Sequence, residues 1–498
     1  MKFPFLRRRP AAEAEISARV EPVVAKRSFR AAHSHRLAGG FNVFGSVSPR
    51  EETRREIRGL VSHARHASQN FDHARAYEML IRRHVVGPSG IRLQMNVVED
   101  DGRRDLRANT VIETAWKKWG RKGSPSICGR LSFWGIECQI ATAIAREGGA
   151  FVRLHRGRKG GPFGLRIEPI PFDLLDLDHT QPIPGGGYIE SGIEFDADGR
   201  PLAFHIWTAP EDVAHMGIRR RVRVPARDMV HVLVPEEIGQ ALNVPRSSTA
   251  LRLMNMADAF QKAGMEAAHF GAAAMLFFKR EAETSTLSQT DDTADDGGPP
   301  IDTIEAGTIL DLPPGVEPVP HVPHYPDAAV EPFMRNMNAS TASGLGVSRE
   351  TLTGDLTGAN FSSLRAGKGE ERDEWRMLQR AMFESFHGVV FSQWLNMALL
   401  TQAVRLPLAK IEKFDAAEWR PRGWPSVNPK DDATAAEKDL ALGLRSRREI
   451  AAERGRDIEE VDKEIAEDKQ RAERLKLDFG SSPPKPPGPD PDKEDADP

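Results

Sequence analysis

The sequence predicts an α+β protein of several domains, and three observations carry that expectation. The chain has 498 residues, too many for one simple hydrophobic core. Its strand-like segments, Phe151–Leu177 and Gly192–Val234, are gathered together rather than alternating with helices. Beyond them come a helix, a small α/β insertion, a second helix, a polar glycine-rich loop and a long helix, in that order.

The elements follow from local pattern. Residues 1–45 open with Arg7, Arg8 and Arg9 and show no period, which reads as a flexible basic arm or a solvated tail without a role. From Arg50 to Arg83 apolar residues recur at helical spacing among many Arg and His, as in surface helices. Trp116, Trp119 and the run Leu131–Ala145 form a second helical block. In the strand region apolar runs are broken by Gly, Pro and Asp, and Asp198-Gly199 is a hairpin turn signal.

Ser247–Phe270 predicts a helix with Ser247 or Ser248 as cap, sweeping Leu251, Met254 and Ala257 along one face. Ala263, Gly264, Ala267 and Ala268 permit close approach of a neighbouring helix. Met275–Phe278 and Thr308–Leu312 read as short strands, and Glu281–Pro300 between them as a disordered acidic loop. Phe333–Ser343 predicts a shorter helix.

Next comes the most informative stretch, Gly344–Arg365. Gly354 and Gly358 sit where a loop needs backbone freedom, Asp355 and Thr357 are turn formers, and Ser362 and Ser363 are candidate N-caps. A long helix over Ser363–Leu400 places Trp375, Leu378, Met382, Phe386, Val389 and Trp394 on one stripe. Trp419–Pro429 is extended, Thr434–Leu475 is helical and charged, and the Pro- and Asp-rich end has nothing with which to build a core.

Composition excludes several classes. With 39% hydrophobic and 28% charged residues the chain reads as soluble and globular, and a net charge of −3 argues against a static grip on nucleic acid. No apolar run is long enough to cross a bilayer, and no membrane role is expected. Cys128 and Cys138 form no CxxC pair, so they are expected to be free buried thiols in a reducing compartment. Gly367-Lys368 is followed by Gly369 and lacks the rest of a phosphate loop. His63 and His66 lack the Glu and third ligand of a zincin and read as surface histidines; His231, in an apolar strand, reads as a core histidine. No catalytic residue, metal site or cofactor is expected.

The motif Gly-Asp-Leu-x-x-x-Asn-Phe-Ser-Ser-x-Arg over 354–365 resembles the segment around the tunnel loop of portal proteins from lambda-type tailed phages. Further matches run in family order: HVVGPSGIRLQ at His84–Gln94 as an early strand and turn, EGGAFV at Glu147–Val152, GIEFDADGRP at Gly192–Pro201, VPARDMVHV at Val224–Val232 and ERGRDIEEV within Glu449–Asp468. One departure stands out. Gly239-Gln240 is followed by ALNVP, without the Arg-Gly step the family often carries.

The resemblance implies a portal fold: a wing over 46–246, a stem helix at 247–272, a clip at 273–329, a second stem helix at 330–348 and a tunnel loop at 349–363. A long wing helix and return over 364–430, a helical crown at 431–478 and a disordered tail at 479–498 complete it. It further implies a homo-oligomeric ring, dodecameric in the family, at one capsid vertex of the virion, assembled in the bacterial cytoplasm. Through the ring double-stranded DNA passes without sequence recognition. The implied partners are the large terminase, the head-tail connector or adaptor, and the major capsid and scaffold proteins. Gly354, Asp355, Thr357, Gly358, Asn360 and Ser362 would face the DNA, with Arg365, Lys368, Lys279 and Arg280 as candidate phosphate contacts. The alternatives are a terminase-like ATPase or nuclease, which needs a P-loop or acidic metal cluster, and a non-ring minor capsid protein.

Overall fold

The computed structural model describes residues 49–209, 219–234, 236–272, 276–280, 316–320, 328–358, 360–424 and 429–477. For residues 49, 270–272, 276–280, 316–320 and 361–366 it describes the backbone alone. The expected basic arm, the acidic loop Glu281–Pro300, the strand Thr308–Leu312 and the tail 479–498 lie outside the described residues.

Two antiparallel sheets organise the first half. In the smaller, β2 (Gly149–Arg156) lies between β3 (Leu165–Ile170) and β9 (Met229–Leu233). In the larger, β4 (Gln181–Pro182), β5 (Tyr188–Glu190), β6 (Ile193–Phe195), β7 (Pro201–Trp207) and β8 (Arg221–Pro225) run as a meander. The predicted Asp198-Gly199 turn joins β6 to β7; Asp196 N donates to Arg200 O and Gly199 has φ 79°. Strands and helices thus segregate as expected.

α1 (Pro49–Asn70) and α2 (Asp72–Ile81) are not merely surface helices. Ile57 and Val61 of α1 pack into the core beneath the meander, while Tyr77, Leu80 and Ile81 of α2 enter the main core. The sequence pattern hid this because the apolar positions of α1 are few and set among many Arg, His and Glu. Next, α3 (Leu106–Trp119) and α4 (Phe133–Glu147) supply Trp116, Trp119 and Phe133, which meet Trp394 and Phe391 in one aromatic cluster; Trp116 and Trp394 lie edge to face at 5.0 Å. Such large rings bury extensive apolar area each, and edge-to-face contacts add to it.

α5 (Ser248–Ala272) and α6 (Val330–Gly344) pack together, with β10 (Leu276–Arg280) and β11 (Val316–Pro320) forming a separate antiparallel hairpin between them in sequence. Gly264 and Ala257 are buried along α5, in keeping with close helix approach. Thr249 Oγ1 donates to Gly344 O at 2.7 Å where the pair joins the body.

α7 (Arg349–Thr353) precedes the loop, and α8 (Phe361–Met382) continues through a π-helical turn at Phe383–His387 into α9 (Gly388–Leu400). The long helix was expected without that turn. Its inserted residue rotates the following face, so Val390 is fully buried while Val389, predicted inside, is 41% exposed. A similar π-turn at Arg82–Val86 makes Val85 and Val86 helical where a strand was expected; the strand, β1, begins only at Arg92 and ends at Met95. After a short α10 (Ile411–Phe414), the extended return forms β12 (Ala417–Arg420), antiparallel to β1.

The helical end is three helices, α11 (Pro429–Ala441), α12 (Arg447–Glu453) and α13 (Ile458–Leu475), interrupted at Gly443 and Gly455, both at positive φ. The thiols correct the sequence expectation: Cys128 is exposed and Cys138 only half-buried, although both are free.

Candidate nucleic-acid interface

The candidate loop is built from its flanks inward. α6 ends in a left-handed turn at Gly346, φ 68°, with Val347 N donating to Ala342 O at 3.0 Å. Ser348 then caps α7, its Oγ accepting from Thr351 N and donating to Thr351 Oγ1 at 2.8 Å. Thr351 Oγ1 in turn donates to Glu371 Oε2 of α8 at 2.9 Å, and Leu352 is buried, so both sides of the loop are fixed to one core. Hence the first five residues of the segment expected as loop are helical. Ser348 supplied the cap signal, with Glu350 in the first turn.

Gly354, at φ 73°, ends α7. Asp355 Oδ1 accepts from Thr357 N at 2.9 Å, a side-chain turn, while Asp355 Oδ2 accepts from Arg349 Nη1 at 3.2 Å. The Thr357 bonds and then the Arg349 charge hold the Asp355 carboxyl below its usual range. Thr357, Gly358 and Asn360 are exposed, with Gly358 at φ 76°. No atom approaches within 4 Å of a side chain added at Gly354 or Gly358, so these glycines serve the turn rather than packing.

The structure therefore brings Gly354, Asp355, Thr357, Gly358 and Asn360 together on one short loop. Ser362 and Ser363 lie inside α8, whose first residue is Phe361, so neither is the N-cap that the sequence suggested. Arg365 lies in the first turns of α8, and exposed Lys368 one turn further on. Lys279 and Arg280 end β10, Lys279 paired in register with Glu317 and Arg280 with Val316, on a different element from the loop. Sequence reasoning missed Leu356, 61% exposed at the loop tip, and Arg349, which pins Asp355. The unusual cost of a leucine in a polar loop was the available signal.

Elsewhere the chemistry stays bland. His63 and His66 are exposed, His66 Nδ1 contacting Asn70 at 3.3 Å, and no group of metal-ligating side chains occurs among the described residues. Gly367-Lys368-Gly369 is helix interior, not a phosphate loop. His231 stacks on Phe151 at 4.6 Å.

The sequence profile of the phage portal proteins of the lambda family matches residues 35–379, more than half of the chain. The chain belongs to the lambda family of phage portal proteins. Among its relatives is a probable portal protein of the Halomonas phage phiHAP-1, 28% identical over 462 residues that span 92% of this chain and 89% of the relative. The fold is also similar to a chain in the neck of an empty GTA particle computed with C6 symmetry (TM-score 0.43, 14% identity, 80% of this chain and 94% of that one). A chain in the neck of a native GTA particle computed with C12 symmetry gives TM-score 0.42 at 12% identity, over 79% of this chain and 92% of that one.

The corner without the Arg-Gly step is closed by Gln240. Gln240 Oε1 accepts from Glu236 N and Glu237 N at 3.0 and 2.9 Å, and its amide donates to Leu242 O at 3.2 Å. With Gly239 at φ 75°, this one side chain closes the corner.

Proposed function

We propose that this portal protein forms a ring at one capsid vertex, through which double-stranded DNA enters and leaves the particle. The observation that carries the reading is the order of elements: paired helices α5 and α6, a hairpin between them, then a capped polar loop leading into a long helix. In this reading 46–246 and 364–430 are the wing, 247–272 and 330–348 the stem, 273–329 the clip, and 431–478 the crown. The loop, at Gly354–Asn360 once α7 is set apart, projects into the channel. Its short tip, polar except for Leu356, is held at both ends and offers phosphates no fixed sequence code. A dodecameric ring fits a conduit around DNA, and a near-neutral chain, net charge −3, suits sliding better than binding.

The protein is not an enzyme in this reading. The large terminase supplies the energy and docks on the ring during packaging; the head-tail connector takes its place later. The major capsid and scaffold proteins hold the vertex, and assembly takes place in the host cytoplasm. Negative-stain microscopy of the purified protein tests the proposal. Rings with a central hole are expected; a protein that stays monomeric at every concentration used for assembly sinks it.

A further inference from the structure

We propose that a basic pocket at one end of the smaller sheet holds backbone phosphates of DNA, at a site separate from the loop. The choice of DNA rests on the function proposed above; the pocket's fit to a phosphate anion does not. The pocket has a volume of about 600 Å3 and lies where the end of β2, the turn Gly157–Phe163 and the turn Ala226–Asp228 before β9 come together.

Four cations line it, Arg153, Arg156, Lys159 and Arg227, against one acid, Asp228. That acid is already bound. Arg156 Nη1 donates to Asp228 Oδ1, and Arg156 Nη2 donates to Arg227 O at 2.6 Å and to Gln393 Oε1 of α9 at 2.8 Å. Glu168 of β3 is bound as well: His155 Nε2 lies 2.7 Å from Glu168 Oε2, and this bond, then the charges of Arg153 and Lys159, hold that carboxyl below its usual range.

The remaining donors have no partner. Arg153, Lys159 and the Arg227 guanidinium make no hydrogen bond or ion pair among the described residues. Arg166, opposite His155 in register, leans over the same turn: a side chain at Gly161 would come within 3.2 Å of Arg166 Nε, and that Nε is buried without a partner. Like charges held together repel, so an anion among them relieves the repulsion and accepts their hydrogen bonds.

The chemistry selects phosphate over a protein segment. Leu154 is the one apolar side chain in the lining and is 4% exposed, and no Phe, Tyr or Trp lines the pocket. A docked peptide would find no apolar anchor, and a nucleobase no ring to stack on. The pocket offers two free guanidinium forks and an ammonium, donors that suit phosphate oxygens and read no base sequence.

The test uses the full chain and a short fluorescein-labelled DNA duplex, read by fluorescence anisotropy over a range of salt. Lys159→Glu with Arg227→Glu changes two exposed side chains and should keep the wild-type melting temperature. Binding should weaken about tenfold or more, and the slope of log affinity against log salt should become shallower by about two. Arg200→Glu with Arg220→Glu, the same charge change at exposed positions beside the larger sheet, should bind like wild type. Equal losses in both double variants, or no DNA binding by the wild type at low salt, overturn the site. Inorganic phosphate that displaces the duplex at an ionic strength where chloride does not assigns the pocket to the free anion and overturns the DNA assignment. None of these readouts needs a ring, so rings seen by microscopy without this effect leave the function proposed above standing.

Discussion

His387 Nε2 and Glu137 Oε1 lie 2.7 Å apart with their side chains 0% and 2% exposed, joining the π-turn of the long helix to α4. The other ring nitrogen, Nδ1, faces Met382 O at 3.0 Å; a carbonyl only accepts, so Nδ1 carries a hydrogen. Glu137 Oε1 also accepts from Ile91 N at 3.3 Å, and Gly90, at φ 70°, leaves room for its second oxygen. The pair thus ties together three segments far apart in sequence: the π-turn, α4 and the entry to β1.

Glu137→Ala should cost about 3–5 kcal/mol, because it strands a buried polar ring without its partner. Replacing both partners by leucine should recover part of that loss, since an apolar pair leaves no stranded ring but does leave Ile91 N–H without its acceptor. Urea denaturation of the single and double variants decides it. A single-variant loss below about 1 kcal/mol shows that the pair adds nothing.

The π-turn sets up a sharper contrast. Val390→Ala removes two methyl groups from a fully buried site and should cost about 2 kcal/mol. Val389→Ala, one residue earlier and 41% exposed, should stay within about 0.5 kcal/mol. Equal effects in the two variants mean that the helix runs on without the inserted residue.

Those two valines also show where sequence reasoning reached its limit. The stripe Trp375, Leu378, Met382, Phe386 was legible because its spacing follows the α-helical period, and all four are buried. Nothing in FESFH announces an extra residue in the turn; the buried His387–Glu137 bond that accompanies it spans 250 positions. The Asp198-Gly199 hairpin was legible for the opposite reason, its signal being entirely local. At the loop, Gly354 and Asp355 were readable from turn chemistry, but the shift of the helix start from the serines to Phe361 was not. Leu356 stands alone between Asp355 and Thr357, so no apolar period marks which way it faces.

Stability should fall on acidification, and His231 is one cause. Burial holds its pKa down to about 4, below the unfolded value of about 6.5. Between those values the unfolded chain binds a proton that the folded chain refuses. The stabilisation is complete above about pH 6.5 and is lost as the pH falls toward 4. From pH 7 to pH 5 this one group should account for a loss of about 2 kcal/mol. His84 adds to it: burial, then Arg422, keep it near 4, and its Nδ1 accepts from Trp424 Nε1 at 2.8 Å. His231→Phe preserves the stack on Phe151 and should show a shallower loss between pH 7 and pH 5. An identical pH dependence in variant and wild type removes His231 from the account.

The loop itself is tested by deleting Thr357–Asn360. Its anchors lie outside the deletion: Ser348 caps α7, Thr351 reaches Glu371, and Leu352 is buried. The deletion removes the Thr357 N–H that Asp355 accepts, but Arg349 still holds that carboxylate. Thr357, Gly358 and Asn360 are exposed, so no core contact of theirs is lost and the melting temperature should stay within a few degrees of wild type. Ring formation should likewise persist, because the anchors of the loop on both flanking helices stay in place. The defect should appear late, as capsids that begin to fill and then fail to complete packaging or to keep the genome. Leu356→Ser separates the tip's apolar group from the loop's length: a defect shared by both variants assigns the effect to that leucine, and one confined to the deletion assigns it to reach. Capsids carrying the deletion that fill and retain DNA like wild type reduce the loop to a connector between α7 and α8.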